Sequence, residues 1–147
     1  MADFVFESAP YSVRCGDCRT VFESSVTEAL VGDDHRWDLE AQCSTCGSTW
    51  WECGIDPAPP RMRDALLAAN GLTVLRVEKS SVAPALVMKA LRVARSLSLA
   101  EARSMADELL GAGIEGTLVE MEVIARLLRA SGATASTRKP GTEVSSD

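Results

Sequence analysis

Two pairs of cysteines constrain this chain more than any other feature of its sequence. Cys15 and Cys18 form one C-x-x-C motif, Cys43 and Cys46 form a second, and 24 residues separate the two motifs. A C-x-x-C turn lets both of its sulfurs reach one metal ion, and two such turns complete a tetrahedral shell. The spacing therefore predicts one structural Zn²⁺ bound by all four cysteines, in a closed site without a coordination position for substrate.

The rest of the sequence predicts a cytoplasmic protein. The chain has five cysteines, an odd number, and no apolar run approaches the ~20 residues that a membrane span needs. Its first residues, Met1-Ala2-Asp3-Phe4, lack the basic start and long apolar stretch of a signal peptide. Because cytoplasmic thiols stay reduced, paired cysteines there indicate metal binding rather than disulfides.

The residues around the cysteine motifs alternate as in short strands. Trp37, Leu39, Ala41 and Cys43 occupy every second position, and residues 48–53 follow as a hairpin partner. Residues 1–56 thus predict a small antiparallel sheet that resembles a four-cysteine zinc ribbon. So small a module has too little core to fold without its metal.

Four further residues of this module are candidates for a functional role, and the sequence predicts the surroundings of each. His35, the only histidine, lies in a polar segment and is predicted to be a solvated turn residue. Cys53 is predicted to be a buried thiol rather than a fifth ligand. Trp50 and Trp51 point to opposite faces of one strand, so one of them is expected near the surface, where it packs against the second module, anchors a protein or stacks on a base.

Charge is distributed unevenly along the chain. Residues 1–69 carry 5 basic and 12 acidic side chains, a net charge of −7, whereas residues 70–147 carry 10 and 9, a net charge of +1. An acidic module has no long-range attraction for a phosphate backbone. Nucleic-acid binding is therefore disfavoured for the zinc module.

Residues 57–71 predict a proline-rich linker followed by a connector helix. Pro60 can begin this helix and Gly71 can end it. One apolar face of the helix is free to pack on either module, and it consists of Met62, Leu66 and Ala69.

Residues 72–137 predict a compact α+β unit with helices on one side of a small sheet. A strand over 72–77 precedes a helix that opens at Ser80-Ser81 and runs through Ser96. Two capping boxes begin the next two helices, which end at Leu110 and Gly132, and their residues are Ser98 with Glu101 and Thr117 with Glu120. A short strand around Ile114, an edge strand over 133–137 and an unpacked tail over 138–147 complete the prediction.

One stretch of this unit resembles a known family. Residues 87–92 read Val-Met-Lys-Ala-Leu-Arg, and residues 97–103 read Leu-Ser-Leu-Ala-Glu-Ala-Arg. They are similar to the C-terminal domain of the bacterial ribosomal stalk protein, whose pattern is hydrophobic-Lys-x-hydrophobic-Arg and then Leu-Gly-Leu-Lys-Glu-Ala-Lys. The similarity covers residues 72–137, and the chain departs from the pattern at Pro84, Ser98 and Ala100.

The resemblance implies a docking face, since the stalk domain recruits translation-factor GTPases through one helix face. Carried over by position, the partner-binding residues are Val87, Met88, Lys89, Arg92, Leu99 and Arg103. Helical spacing by itself places Lys89, Arg92 and Arg95 on one basic stripe, and it directs Val87, Leu91 and Ala94 to the core. The stripe suits an acidic helix of a partner, although an ordinary solvated helix face would have the same pattern.

These patterns predict a non-enzymatic, zinc-binding adaptor whose partner is a protein, with a translation GTPase or a ribosome-associated factor as the candidates. The alternative is a zinc ribbon that binds nucleic acid through an exposed tryptophan. An enzyme ranks last, because the sequence has no nucleophile beside a base, no recognisable pair of catalytic carboxylates and no phosphate-binding loop.

Overall fold

A computed structural model describes residues 4–140 of the chain. It has two compact units, Met1–Gly71 and Leu72–Asp147, called the N-terminal and C-terminal units below. The N-terminal unit contains a four-stranded antiparallel sheet, and the C-terminal unit contains a three-stranded sheet with helices. The predicted α+β class is confirmed. Most of the predicted tail lies outside the described residues, and Arg138, predicted to begin it, belongs to the last strand.

The sheet of the N-terminal unit is an antiparallel meander in the order β1-β2-β3-β4. Its strands are β1 (Phe4–Arg14), β2 (Val21–Val31), β3 (Asp34–Gln42) and β4 (Thr49–Ile55). One cysteine motif joins β1 to β2 and the other joins β3 to β4, while Gly32 and Asp33 form the loop between β2 and β3. Since alternate loops of a meander lie at the same end, the topology brings both cysteine motifs together.

The first two strands are longer than their sequence suggests, at 11 residues each. Only the residues beside the first cysteine motif were predicted as strand. The sequence of β1 does not alternate between apolar and polar residues, because both faces of the strand carry apolar side chains. Phe4 and Phe6 lie on one face, and Val5 and Ala9 lie on the other. Pro10 is tolerated because β1 is an edge strand.

Helix α1 (Pro60–Asn70) packs on one face of this sheet. Met62 and Leu66 are buried as predicted, whereas Ala69 is exposed. The two buried side chains join a core cluster with Ala9, Val26 and Leu39, one from each of the first three strands. The helix is therefore part of the N-terminal unit.

The C-terminal unit has helices on one side of a sheet, as predicted. Its elements are β5 (Thr73–Val77), α2 (Pro84–Ala94), α3 (Leu99–Leu110), β6 (Ile114–Gly116), α4 (Leu118–Ala130) and β7 (Ala135–Arg138). The sheet order is β6-β5-β7, with antiparallel pairing throughout. Leu75 and Val77 of β5 are buried beneath the helices while Arg76 between them is exposed, the alternation of a half-buried strand.

The first helix of this unit begins later and ends earlier than predicted. Residues Lys79–Ser81 form a single 3₁₀ turn, and α2 begins at Pro84. Proline suits the first helical position but disfavours a helical conformation in the residue before it, and Ala83 is indeed extended. At the other end Arg95 is extended, so the helix stops at Ala94.

Both predicted capping boxes are formed. The Ser98 hydroxyl accepts from the backbone N–H of Glu101, and the Glu101 carboxylate accepts from the backbone N–H of Ser98. Thr117 and Glu120 repeat the arrangement at the start of α4. Each box satisfies two helix N–H groups that otherwise lack an intrahelical partner.

Candidate metal centre

The two cysteine motifs form two copies of the same backbone turn. In the first, the Cys15 N–H donates to the Thr20 carbonyl at 2.9 Å and the Arg19 N–H donates to the Cys15 carbonyl at 2.9 Å. In the second, the equivalent bonds join Cys43 to Ser48 at 2.8 Å and Gly47 to Cys43 at 2.9 Å. Gly47 has a positive φ of 79°, which glycine adopts readily, and Arg19 takes the equivalent position at 64°. Two hairpin loops therefore present their sulfurs in the same way.

The four sulfurs lie at the separations of a tetrahedral metal site. The Sγ atoms of Cys15 and Cys46 are 3.6 Å apart, those of Cys18 and Cys43 are also 3.6 Å apart, and all four lie within 4.8 Å of one another. Bonds of about 2.3 Å from zinc to sulfur place tetrahedral sulfurs about 3.8 Å apart. A disulfide requires about 2.05 Å. The four predicted ligands can therefore hold one metal ion together.

Each motif contributes one buried and one exposed cysteine. Cys15 and Cys43 are each 1% exposed, while Cys18 and Cys46 lie at the surface. The buried pair rests on Phe22 and Ala41, and the Trp50 ring packs edge-on against Phe22 at 5.7 Å between centroids. One side of the site is therefore buried against apolar side chains of the sheet, and the other side is exposed to solvent.

Hydroxyl groups surround the two exposed sulfurs. Thr20 Oγ1 lies 3.2 Å from Cys18 Sγ, and Ser48 Oγ lies 3.3 Å from Cys46 Sγ. The Ser48 hydroxyl also donates to Asp17 Oδ2 at 2.5 Å, which ties the second motif to the first. Thr20, Ser48 and Asp17 were not predicted to belong to the site, although both motifs carry a hydroxyl residue two positions after the second cysteine.

These contacts favour the charged form of the exposed sulfurs. Hydrogen bonds from the hydroxyl and then the backbone of Thr20 lower the pKa of Cys18 to about 6. Hydrogen bonds with the side chain and then the backbone of Ser48 lower the pKa of Cys46. For Cys15 the backbone hydrogen bond from Cys18 also lowers the pKa, but burial and the neighbouring thiols raise it overall. Metals bind thiolates, so the lowered pKa values of the two exposed cysteines favour metal binding.

The arrangement can stabilise a fold but offers no reactive position. Four thiolates fill the tetrahedral shell of Zn²⁺, so a bound ion keeps no open site for water or substrate. A bound ion would instead join the β1–β2 hairpin to the β3–β4 hairpin at the end of the sheet where both cysteine motifs lie. Its contribution would be to stability.

Cys53 and Trp51 lie on the opposite side of the sheet from α1. The prediction of a buried Cys53 is wrong, because Cys53 is exposed on edge strand β4. Trp51 shares that face and is 72% exposed, whereas Trp50 points inward and is half-buried. The opposite orientation of the two tryptophans is therefore as predicted, and Trp51 is the exposed one.

The prediction of a solvated turn at His35 is also wrong. The loop consists of two residues, with Gly32 at φ 61°, the position that type II′ hairpin loops give to glycine, so β3 already includes His35. Its Nε2 lies 2.8 Å from Oε2 of Glu28, whose side chain is fully buried. The His35 side chain is 11% exposed. A buried carboxylate needs such a partner, which explains why the histidine points inward.

The predicted partner-binding residues lie on α2 and α3, but not all of them on one surface. Lys89, Arg92 and Arg103 are exposed, and Leu99 is 63% exposed. Met88 is half-buried. A shallow groove of about 470 Å³ runs between the two helices, lined by Ala85, Met88, Lys89, Arg92, Val93 and Leu99.

Two of the residues considered for this face lie elsewhere. Val87 is fully buried, as the helical spacing predicts, so a partner on this face cannot touch it directly. Arg95 does not continue the basic stripe, because α2 has already ended and its guanidinium donates to Met105 Sδ at 3.8 Å. The groove therefore carries two cations, Lys89 and Arg92.

The chain matches no protein-family model, no curated protein sequence and no solved structure. Across residues 4–140, no helix is long and apolar enough to cross a membrane.

Proposed function

We propose that this protein is a non-enzymatic adaptor, in which a zinc-stabilised N-terminal unit is joined to a stalk-like unit that docks a protein partner. The observation that carries the proposal is the groove between α2 and α3. It combines an apolar surface from Met88, Val93 and Leu99 with two cations at Lys89 and Arg92. Apolar contact with flanking charge is typical of a surface that binds a helix of another protein.

The charges of the groove favour an acidic partner. Among the described residues, neither Lys89 nor Arg92 forms an ion pair, so both cations are available to a ligand. An amphipathic helix with apolar anchors and Asp or Glu beside them would match the groove in both respects. The resemblance to the ribosomal stalk domain adds a candidate, since that domain recruits translation GTPases through the corresponding face.

The metal in this proposal is zinc. Four thiolates at tetrahedral spacing suit Zn²⁺, and they suit a single iron ion as well. Zinc is d¹⁰ and colourless, whereas iron bound by four cysteines absorbs visible light. Metal analysis and an absorption spectrum of the purified protein would therefore distinguish the two ions.

The groove can be tested by reversing its charge. We expect Lys89→Glu/Arg92→Glu to lose a specific partner in affinity capture, and to weaken binding to purified translation-elongation GTPases if one of these is the partner. The matched control is Arg76→Glu/Lys79→Glu, which changes the charge of the same unit equally at exposed positions outside the groove. Retention of every partner by the groove variant would refute the adaptor proposal.

The alternative function is nucleic-acid binding by the zinc unit, and the observation in its favour is the exposed ring of Trp51. Acidic residues around that ring oppose it, because they repel phosphate. Titration of RNA and single-stranded DNA at low and high salt tests this alternative. Absence of binding even at low salt would remove it.

A further inference from the structure

The N-terminal unit exposes an apolar surface on the side of its sheet that faces away from α1, here called the outer face. Strand pairing places six large apolar side chains on this side, and all six are exposed: Phe4, Phe6, Val21, Val31, Trp51 and Ile55. The solvent side of an antiparallel sheet is ordinarily polar. A concentration of apolar side chains there indicates a binding surface.

The six apolar residues lie two each on β1, β2 and β4. Phe4 stands directly opposite Val31, and the rings of Phe4 and Phe6 are 5.1 Å apart. On β4, Trp51 and Ile55 are 72% and 77% exposed, although β4 belongs to a well-formed sheet. Side chains this exposed contribute little to folding, so burial by a partner would gain most of their hydrophobic free energy.

An acidic column runs along β3, between the apolar residues of β2 and those of β4. Asp34, Asp38 and Glu40 of β3 point to the outer face, and Glu40 is the direct cross-strand neighbour of Trp51. No ion pair neutralises these three carboxylates within residues 4–140. Arg36 lies between Asp34 and Asp38 on the same face of β3, directly opposite Ile55, so the acidic column keeps a net charge of −2. The outer face therefore combines large apolar side chains with a net negative charge.

This combination selects one class of partner. Nucleic acids and anionic membranes would be repelled by the acidic column, and two copies of the outer face would bring like charges together. A helix with one apolar stripe and flanking Lys or Arg side chains complements both components. The inner side of the same sheet already packs against a helix, α1, so a helix on the outer side would complete a second layer.

We propose that the outer face binds a basic amphipathic helix of a partner protein. This surface is distinct from the α2–α3 groove in position and in charge. The proposal does not depend on the function of that groove, and neither result decides the other.

The test uses the full-length, metal-loaded protein and a labelled synthetic helix of leucine and lysine, with a leucine–glutamate helix of equal length as the control. We expect saturable binding of the lysine peptide, a blue shift of the Trp51 emission as its ring is buried, and no binding of the glutamate peptide. Asp38→Lys/Glu40→Lys should weaken binding by about tenfold or more. Trp51→Ser should weaken it and abolish the blue shift.

A control double variant distinguishes binding at the outer face from a general effect of net charge. Asp33→Lys/Asp64→Lys changes the net charge equally from exposed positions in the β2–β3 loop and on α1, and it should leave affinity within about threefold of wild type. Equal weakening by both pairs, or equal binding of both peptides, would overturn the proposal. So would self-association in sedimentation that Trp51→Ser abolishes, because a second copy would then cover the face. The charge and tryptophan variants are independent, so either decides the question if the other does not fold.

Discussion

The two units of this protein hold their folds in different ways. The N-terminal unit has two small core clusters, one under α1 and one under the cysteines, on opposite parts of a four-stranded sheet. The C-terminal unit has one continuous core that joins β5 to all three of its helices, with Leu75, Leu91, Leu109 and Leu128 fully buried. In the N-terminal unit, a metal ion held by the four cysteines would supply the stability that a continuous hydrophobic core supplies in the C-terminal unit.

The chain carries its own probes for each unit. All three tryptophans, Trp37, Trp50 and Trp51, belong to the N-terminal unit. Three of the four α-helices belong to the C-terminal unit. Tryptophan fluorescence therefore follows the first unit, and helical circular dichroism follows mainly the second.

The largest expected effect is that of metal removal. Chelation, or Cys43→Ser, should unfold the cysteine end of the N-terminal unit, because apparent binding free energies of about 10–16 kcal/mol for structural zinc in small peptides match or exceed the stability of a small domain. Tryptophan emission should shift to the red while most of the helical signal remains. The measurement is fluorescence and circular dichroism on one sample during titration with a chelator.

Cys53→Ser is the control for this experiment. Cys53 is exposed and lies outside the four-sulfur cluster, so its replacement should leave metal stoichiometry and tryptophan emission unchanged. Unchanged tryptophan emission in the metal-free protein would mean that the N-terminal unit folds on its core alone, and the contrast between the units would be lost.

A cavity in the C-terminal core should have the next largest effect. Leu91 is fully buried, so Leu91→Ala should destabilise this unit by about 2–5 kcal/mol. Val93 lies two residues away on the exposed side of α2, and Val93→Ala should change stability by less than about 0.5 kcal/mol. Denaturant unfolding followed by circular dichroism measures both variants. A simultaneous shift of the tryptophan transition would show that the units do not unfold independently.

The smallest expected effect concerns the start of α3. Ser98→Ala removes half of a capping box and should destabilise the C-terminal unit by about 1 kcal/mol. The control is Ser96→Ala, which replaces an exposed serine just outside the helix. Chemical denaturation followed at the helical signal resolves the difference. Equal stability of the two variants would show that the box contributes nothing to this unit.

The proposed surfaces of the two units also differ in charge. The outer face of the N-terminal sheet joins apolar side chains to Asp34, Asp38 and Glu40, whereas the α2–α3 groove joins apolar side chains to Lys89 and Arg92. If both proposals hold, the protein has two docking surfaces of opposite chemistry. Such a chain would connect a basic partner to an acidic one.

The sequence by itself determined the features that depend on short spacings. The tight turn of each cysteine pair, both capping boxes and the exposure of one of two adjacent tryptophans followed from residues within a few positions of one another. These predictions hold because a turn or a helix start is specified by its own residues. The α+β class followed from the same local signals.

Only the tertiary structure decided which side of each element is buried. His35 points inward because β2 places Glu28 beside it, and Cys53 is exposed because α1 covers the other side of the sheet. Arg95 does not belong to the basic stripe because α2 ends at Ala94, the residue before it. The burial of a residue in a sheet depends on partners that are distant in the sequence, and alternation along one strand distinguishes two faces without specifying which is covered.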